Sequence, residues 1–221
     1  MARSVSGPDV LARLGDLGVI PVVVIDDPSR AAALGSALLL GGLPCAEVTL
    51  RTDTALESLR VLAENPDLLV GAGTVLRPAQ VEAALQAGAR YIVSPGFSAS
   101  VVSECQRCGV PVLPGVATAT EIQVALEAGL EAVKFFPAEA SGGLAALKAL
   151  AAPFRGLRFV PTGGITADNL ATYLAEPSVL AVGGSWVVSA DLLASQDFAQ
   201  ITDLAAAAVR VVRGARTGVG A

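Results

Sequence analysis

Eight short apolar runs alternate with longer amphipathic stretches along this 221-residue chain, and nothing else in the sequence restricts the fold so tightly. The runs fall at 19–25, 45–50, 68–73, 90–94, 110–116, 132–137, 157–162 and 179–183. Most are too short and too rich in β-branched residues for helices. Their near-continuous apolarity suits strands covered on both faces. Helix-like segments lie between them, among them 78–87, 119–127 and 167–174. Start signals there are Pro78 in a first turn, Thr120 just before Glu121, and Asp168 near an onset.

One local unit recurs. LQAGARYIVSPG (85–96) and LEAGLEAVKFFP (126–137) share a helix end, Ala-Gly and then a strand, and LLGGLPCAEVTL (39–50) is a looser copy. Glycine closing a helix before the next strand is C-cap chemistry. Strand–helix repetition in a chain of this length predicts a (β/α)8 TIM barrel over residues 1–213. An extra N-terminal helix is expected at about residues 8–16, and a disordered tail at 214–221. A doubly wound open sheet is the alternative, disfavoured because the first strand–helix turn lacks G-x-G-x-x-G.

Composition removes several classes of function. The chain is 53% apolar, yet its longest uncharged stretch, 31–46, is broken by Gly35, Gly41, Gly42 and Pro44. A spanning helix needs about 20 predominantly apolar residues, so no membrane partner is expected. The N-terminus has no apolar h-region, which points to a cytoplasmic protein. The net charge of −5, with no basic cluster, argues against nucleic acid. With no histidine in the chain, His-based triads and His metal sites are excluded. Cys105 and Cys108 form a C-x-x-C, but no further cysteine pair stands near to complete a zinc site. The motif sits late in a helical segment, before Gly109, where a thioredoxin-like site would need it at a helix start. It reads as two small residues on a helix edge.

The polar residues inside the apolar runs carry the chemistry. Barrel active sites collect at the C-terminal ends of strands, and strand parity tells which side chains point inward. In CAEVTLRT, Glu47, Thr49 and Arg51 share the inward parity, while Val48 and Leu50 face the helices. In EAVKFFPAE, Lys134 shares the inward parity with Ala132 and Phe136. A structural Lys134–Glu47 ion pair would explain the first two. Against it, 13 of the 15 basic residues are arginine, which holds carboxylates better. A lysine at this position therefore suggests an amine meant to lose its proton. Lys148, in LAALKAL, reads as a surface lysine.

Further features sit at other strand ends. PTGGI (161–165) brings Thr162, Gly163 and Gly164, and VGGSW (182–186) brings Gly184 and Ser185. Barrels often bind phosphate after strands seven and eight, where glycines let backbone N–H groups converge. VGAGT ends with Thr74, SPG places Pro95 at a cavity floor, and Gly142-Gly143 reads as a turn. Amines desolvated beside a cation become nucleophiles toward ketones. Arg51 would grip a carboxylate. Together these residues describe a keto acid with a distal phosphate as the small-molecule partner.

The motifs EVTLRT, VGAGTVL, SPG, KFFPAEA, PTGGI and GGSW, in order along nearly the whole chain, resemble the 2-keto-3-deoxy-6-phosphogluconate (KDPG) aldolases. That family also covers 4-hydroxy-2-oxoglutarate (KHG) aldolase activity. The resemblance implies a cofactor-free, metal-free class I lyase, assembled as a homotrimer. By motif match Lys134 would be the Schiff-base lysine and Glu47 the acid–base. Arg51 and Thr74, with Pro95 and Phe136, would surround the pyruvate carboxylate. Thr162, Gly163, Gly164, Gly184 and Ser185 would hold phosphate. The galactonate-derived epimer is an alternative substrate. A phosphosugar isomerase or a metabolite sensor on the same scaffold is an alternative function.

Overall fold

The computed structural model describes residues 7–217. A helix, α1 (Gly7–Leu17), precedes the first strand. Strands β1 (Val19–Val23), β2 (Cys45–Thr49), β3 (Leu69–Gly73), β4 (Ile92–Val93) and β5 (Val112–Leu113) follow. Then come β6 (Gly115–Val116), β7 (Ala132–Phe135), β8 (Arg158–Pro161) and β9 (Val182–Gly184). The intervening helices are α2 (Ala31–Leu40), α3 (Ala55–Ala63), α4 (Pro78–Gln86), α5 (Ala99–Arg107), α6 (Ala119–Glu127), α7 (Gly143–Ala151) and α8 (Ala167–Leu174). The chain closes with α9 (Ala190–Ser195) and α10 (Phe198–Thr217).

Every strand pairing is parallel. One sheet runs β5-β4-β3-β2-β1-β9 and a second β6-β7-β8. Each new strand from β1 to β5 is added on the same side of its predecessor. With right-handed crossovers, winding in one direction puts the connecting helices on one face. The strand order of the doubly wound alternative would reverse instead. All five residues of β2 and of β3 are buried, as strands covered on both faces require. Isolated parallel bridges, Phe159↔Val179 and Thr162↔Gly183, run from β8 and its exit toward β9.

Several expected boundaries move. The run 110–116 is split into β5 and β6 at Pro114, which has no N–H to give the ladder. Its carbonyl still accepts the Lys134 N–H at 2.9 Å. The cap of α6 is Thr118, not Thr120. Its hydroxyl accepts the Glu121 N–H, and Glu121 reaches back to the Thr118 N–H at 2.9 Å, a reciprocal capping box. Thr166 and Asn169 start α8 in the same manner, one turn's chemistry ahead of Asp168. Residues 214–217, expected in a frayed tail, continue α10. Arg216 anchors them: its guanidinium donates to the Asp16 carbonyl at 2.7 Å and to that of Gly15, at the end of α1. Residues 1–6 and 218–221 lie outside the described residues.

Candidate active site

Burial points to one end of the strands. The buried polar or charged residues, among those described, are Glu47, Thr49, Ser58, Ser94, Lys134 and Thr162. All but Ser58 lie between the midpoint of a strand, where Glu47 stands in β2, and the residue just beyond its C-terminal end. A polar group costs free energy to bury unless it is paired, so this clustering needs a reason.

Lys134 and Glu47 supply the centre. β7 and β2 are neighbours in neither sheet, yet the Lys134 Nζ lies 3.3 Å from the Glu47 Oε1 across the interior. Lys134 is 6% exposed and Glu47 2%. The amine also sits 5.0 Å from the centroid of the Phe136 ring, a cation–π distance. The inward parity read from both motifs holds. Room for the carboxylate comes from Gly73, which pairs with Thr49: a Cβ there would approach the Glu47 Cγ to 2.7 Å. Gly73 had no role in the sequence reading, because a glycine beside Thr74 shows no sign of the side chain packed over it.

Arg51 and Thr74 reach the site differently from the expectation. β2 ends at Thr49, and the Arg51 N–H turns back to the Thr49 carbonyl at 2.8 Å, so Arg51 leaves the strand and is exposed. Its loop is fixed by two hydroxyls, Thr52 to the Ile25 carbonyl at 2.7 Å and Thr54 to that of Asp26 at 2.9 Å. Of the two charges that parity aimed toward Lys134, the Glu47 carboxylate is in contact at 3.3 Å, and Arg51 stands at the cavity lining. Thr74 takes a φ of 56°. Left-handed backbone in a β-branched residue costs about 1–3 kcal/mol and concentrates at functional sites. Pro95 packs its carbonyl against Gly115, under β6.

A cavity of about 610 Å³ opens above these strand ends. Arg51, Phe136, Thr162, Gly163, Gly164, Gly184 and Ser185 all line it; Lys134, Glu47, Thr74 and Pro95 do not. Phe136 links the two: it lines the cavity, and its ring centroid stands 5.0 Å from the buried amine. Gly163 and Gly164 have φ of 97° and 82°, which only glycine adopts without strain. Gly183, packed on the Thr162 side chain, lets β9 approach the exit of β8, so that the Gly163–Gly164 turn and the end of β9 at Gly184 border one space. Trp186 also lines the cavity, its ring packed over Gly184. The sequence reading quoted it in VGGSW but gave it no part; an aromatic after two glycines has no periodicity to betray where it points.

The neighbouring titratable groups are held out of proton transfer. Burial pushes the Cys45 thiol up to about 12, and it donates to the Val19 carbonyl at 3.3 Å. Burial likewise raises the Tyr91 phenol well above its usual range, and its hydroxyl donates to the Ala46 carbonyl at 2.9 Å. Cys105 is buried on α5 and Cys108 caps its end, the helix-edge placement expected of the C-x-x-C. Lys148 is exposed, 3.8 Å from Glu176.

An amine set against a carboxylate at the C-terminal rim of a parallel α/β scaffold equips an enzyme to break carbon–carbon bonds through an imine, and comparison with known proteins agrees: the chain is a lyase of the aldolase class. A family model described as KDPG and KHG aldolase matches residues 10–204, and the chain belongs to that family. It is 50% identical over 195 residues to the 2-dehydro-3-deoxy-phosphogluconate aldolase of Treponema pallidum, covering 88% of this chain and 93% of the relative. The KHG/KDPG aldolase of Escherichia coli is 45% identical over 192 residues, 86% of this chain and 90% of the other. Among solved structures, the KDPG aldolase of Legionella pneumophila, with pyruvate captured at low pH as a covalent carbinolamine, superposes with a TM-score of 0.87. It shares 40% identity and covers 92% of this chain and 98% of that one. The aldolase of Zymomonas mobilis with 3-phosphoglycerate gives 0.86 at 45% identity, covering 92% and 96%. Among the described residues, no helix is long and apolar enough to cross a membrane.

Proposed function

We propose that the chain cleaves 2-keto-3-deoxy-6-phosphogluconate into pyruvate and D-glyceraldehyde 3-phosphate through a Schiff base on Lys134. The observation that carries this reading is the buried contact between Lys134 and Glu47, 3.3 Å across the interior, below a cavity edged by the Gly163–Gly164 turn and the end of β9. In the reaction, the Lys134 lone pair attacks the C2 ketone and its proton passes to Glu47. Glu47 returns that proton to the former ketone oxygen, giving a carbinolamine. A second proton, drawn from solvent and released again on the final hydrolysis, lets the hydroxyl leave as water so that a protonated imine forms. Glu47 then takes the C4 hydroxyl proton, and the C3–C4 electrons flow into the imine as the aldehyde departs. The remaining enamine is protonated at C3, and hydrolysis frees pyruvate and the lysine.

Arg51 and Thr74 hold the pyruvate carboxylate in this reading, with Phe136 and Pro95 shaping the wall around the three-carbon unit. Thr162, Gly163, Gly164, Gly184 and Ser185 take the phosphate at the far side of the cavity. The carbinolamine seen in the Legionella relative supports the imine route, and the 3-phosphoglycerate in the Zymomonas relative supports a site for a three-carbon phosphate. Activity on 4-hydroxy-2-oxoglutarate belongs to the proposal through relatives named for both substrates.

The strands form a closed (β/α)8 ring in one domain ending with α10, and α1 covers the end opposite the site. The Phe159↔Val179 and Thr162↔Gly183 bridges, and the Lys134–Glu47 contact between non-adjacent strands, support closure. A homotrimer in the cytoplasm completes the proposal on the strength of the family resemblance.

Incubation with pyruvate and borohydride, followed by peptide mass mapping, tests the assignment together with coupled turnover of the phosphorylated keto acid. A reduced pyruvyl adduct on Lys134 is expected. Turnover with no adduct would point to isomerase chemistry, and ligand binding with no turnover to a sensor.

A further inference from the structure

Behind the Gly163–Gly164 turn, α8 presents two polar side chains four residues apart, Asn169 and Tyr173, a spacing that puts both on one helix face. Asn169 Nδ2 donates to the Gly164 carbonyl at 3.1 Å while its Oδ1 accepts the Thr166 N–H at 2.8 Å. The Tyr173 hydroxyl donates to the Glu139 Oε1. Tyr173 is 2% exposed, so its ring is locked in the core and only the hydroxyl reaches out. Burial, then the carboxylate beside it, raises its phenol above the ordinary range, which keeps the proton on the donor.

Glu139 belongs to KFFPAE, the segment that leaves the Lys134 strand, and it lies directly against the turn. Ala138 N–H donates to the Thr162 carbonyl at 2.8 Å and Glu139 N–H to that of Gly163 at 3.0 Å, prolonging the β7–β8 ladder past both strands. The Glu139 side chain fills the space a Gly164 side chain would take: a Cβ there would come within 2.5 Å of the Glu139 Cγ. Gly143 lies beside this contact, where a Cβ would stand 3.4 Å from the carboxylate and 3.5 Å from the Tyr173 hydroxyl; its φ of 63°, not lack of space, is what favours glycine there. The Glu139 carboxylate is absent from the cavity lining, so the tether keeps a negative charge off the surface that faces an incoming anion.

We propose that Tyr173 is a positioning residue for the phosphate end of the site, acting through Glu139 on the Gly163–Gly164 turn; this rests on the reading of that turn as a phosphate cradle. Two glycines with positive φ form a floppy turn unless something fixes them from outside. Here α8 holds the turn at Gly164 in two ways: Asn169 donates to the Gly164 carbonyl, and Tyr173 pins the Glu139 side chain that packs against Gly164. Convergent N–H groups bind an anion well only when they are already aimed at it. Tyr173 touches neither the reacting carbons nor the lysine, so its effect falls on binding of the phosphate.

The test uses the full-length protein and three measurements: steady-state kinetics on the phosphorylated keto acid, competition by inorganic phosphate, and borohydride trapping of pyruvate. For Tyr173→Phe, which keeps the buried ring, KM and the phosphate inhibition constant should rise about tenfold with kcat within about twofold. Pyruvate trapping should match the parent. Glu139→Gln retains an acceptor for the hydroxyl and should stay close to the parent. Glu139→Ala, an exposed position that serves if the tyrosine variant does not fold, should reproduce the loss. Parent-like phosphate competition in both Tyr173→Phe and Glu139→Ala would overturn the inference, as would an equal loss in pyruvate trapping, the mark of general loosening. If phosphate fails to compete in the parent itself, the cradle reading falls and takes the inference with it.

Discussion

Replacing Glu47 by Gln should cost the protein about 3 kcal/mol of stability, and replacing Lys134 as well should recover most of it. The two side chains are 7% and 3% exposed and 3.3 Å apart, so solvent screens the pair very little. Breaking a buried pair from one side strands a charge in a poor solvent, at about 3–5 kcal/mol. The Gln amide oxygen still offers the amine a hydrogen bond, which puts the expected value at the lower end. For a chain of this length about 3 kcal/mol corresponds to a fall in Tm of about 6–12 °C. The assay is urea unfolding of the parent, Glu47→Gln, Lys134→Met and the double variant, taken as a double-mutant cycle. A coupling of at least about 3 kcal/mol is expected, since the double variant should lie near the parent in stability, and it should have no turnover. Additive losses, or a Glu47→Gln cost below about 1 kcal/mol, would refute the claim that the two groups are held as a buried pair.

Two further outcomes follow from the same geometry. Thr74→Gly should raise stability by about 1 kcal/mol in urea unfolding, as relief of the φ of 56° outweighs the entropy of glycine, while turnover falls; a stability loss would show that the backbone there is unstrained. Stability should also decline as pH rises above about 9, because the unfolded chain releases the Cys45 proton near the ordinary thiol value while the folded chain keeps it up to about 12. The unfolded state then binds fewer protons, so unfolding free energy falls with a slope of about 1.4 kcal/mol per pH unit for each such thiol, and Cys45→Ala should flatten the profile.

The alternation of apolar runs and capped helices was enough to predict the parallel α/β order, because each strand's burial on both faces is written locally in its composition. Lys134 and Glu47 were legible for a related reason: a charge inside an apolar run is an anomaly that parity can aim. Parity could not be carried as far as Arg51, because β2 ends at Thr49 and a turn, not the pleat, brings this exposed residue to the cavity lining. Pro114 splitting one run into two strands, and Arg216 extending the last helix, were likewise matters of which carbonyls and donors lie nearby in space.

The remaining features depend on contacts between residues far apart in the chain. Glu47 and Lys134 are separated by 87 positions, and their 3.3 Å approach exists only because the sheet curves. Gly73 matters because a carboxylate packs over it, and Tyr173 because a core helix points its hydroxyl at a glutamate 34 residues away. Local propensity fixes the period of each element and the residue types at its ends. Packing of non-adjacent elements fixes which of those ends meet, and it decides the candidate site, which brings side chains of β2 and β7 below a cavity lined by segments after β2, β7, β8 and β9.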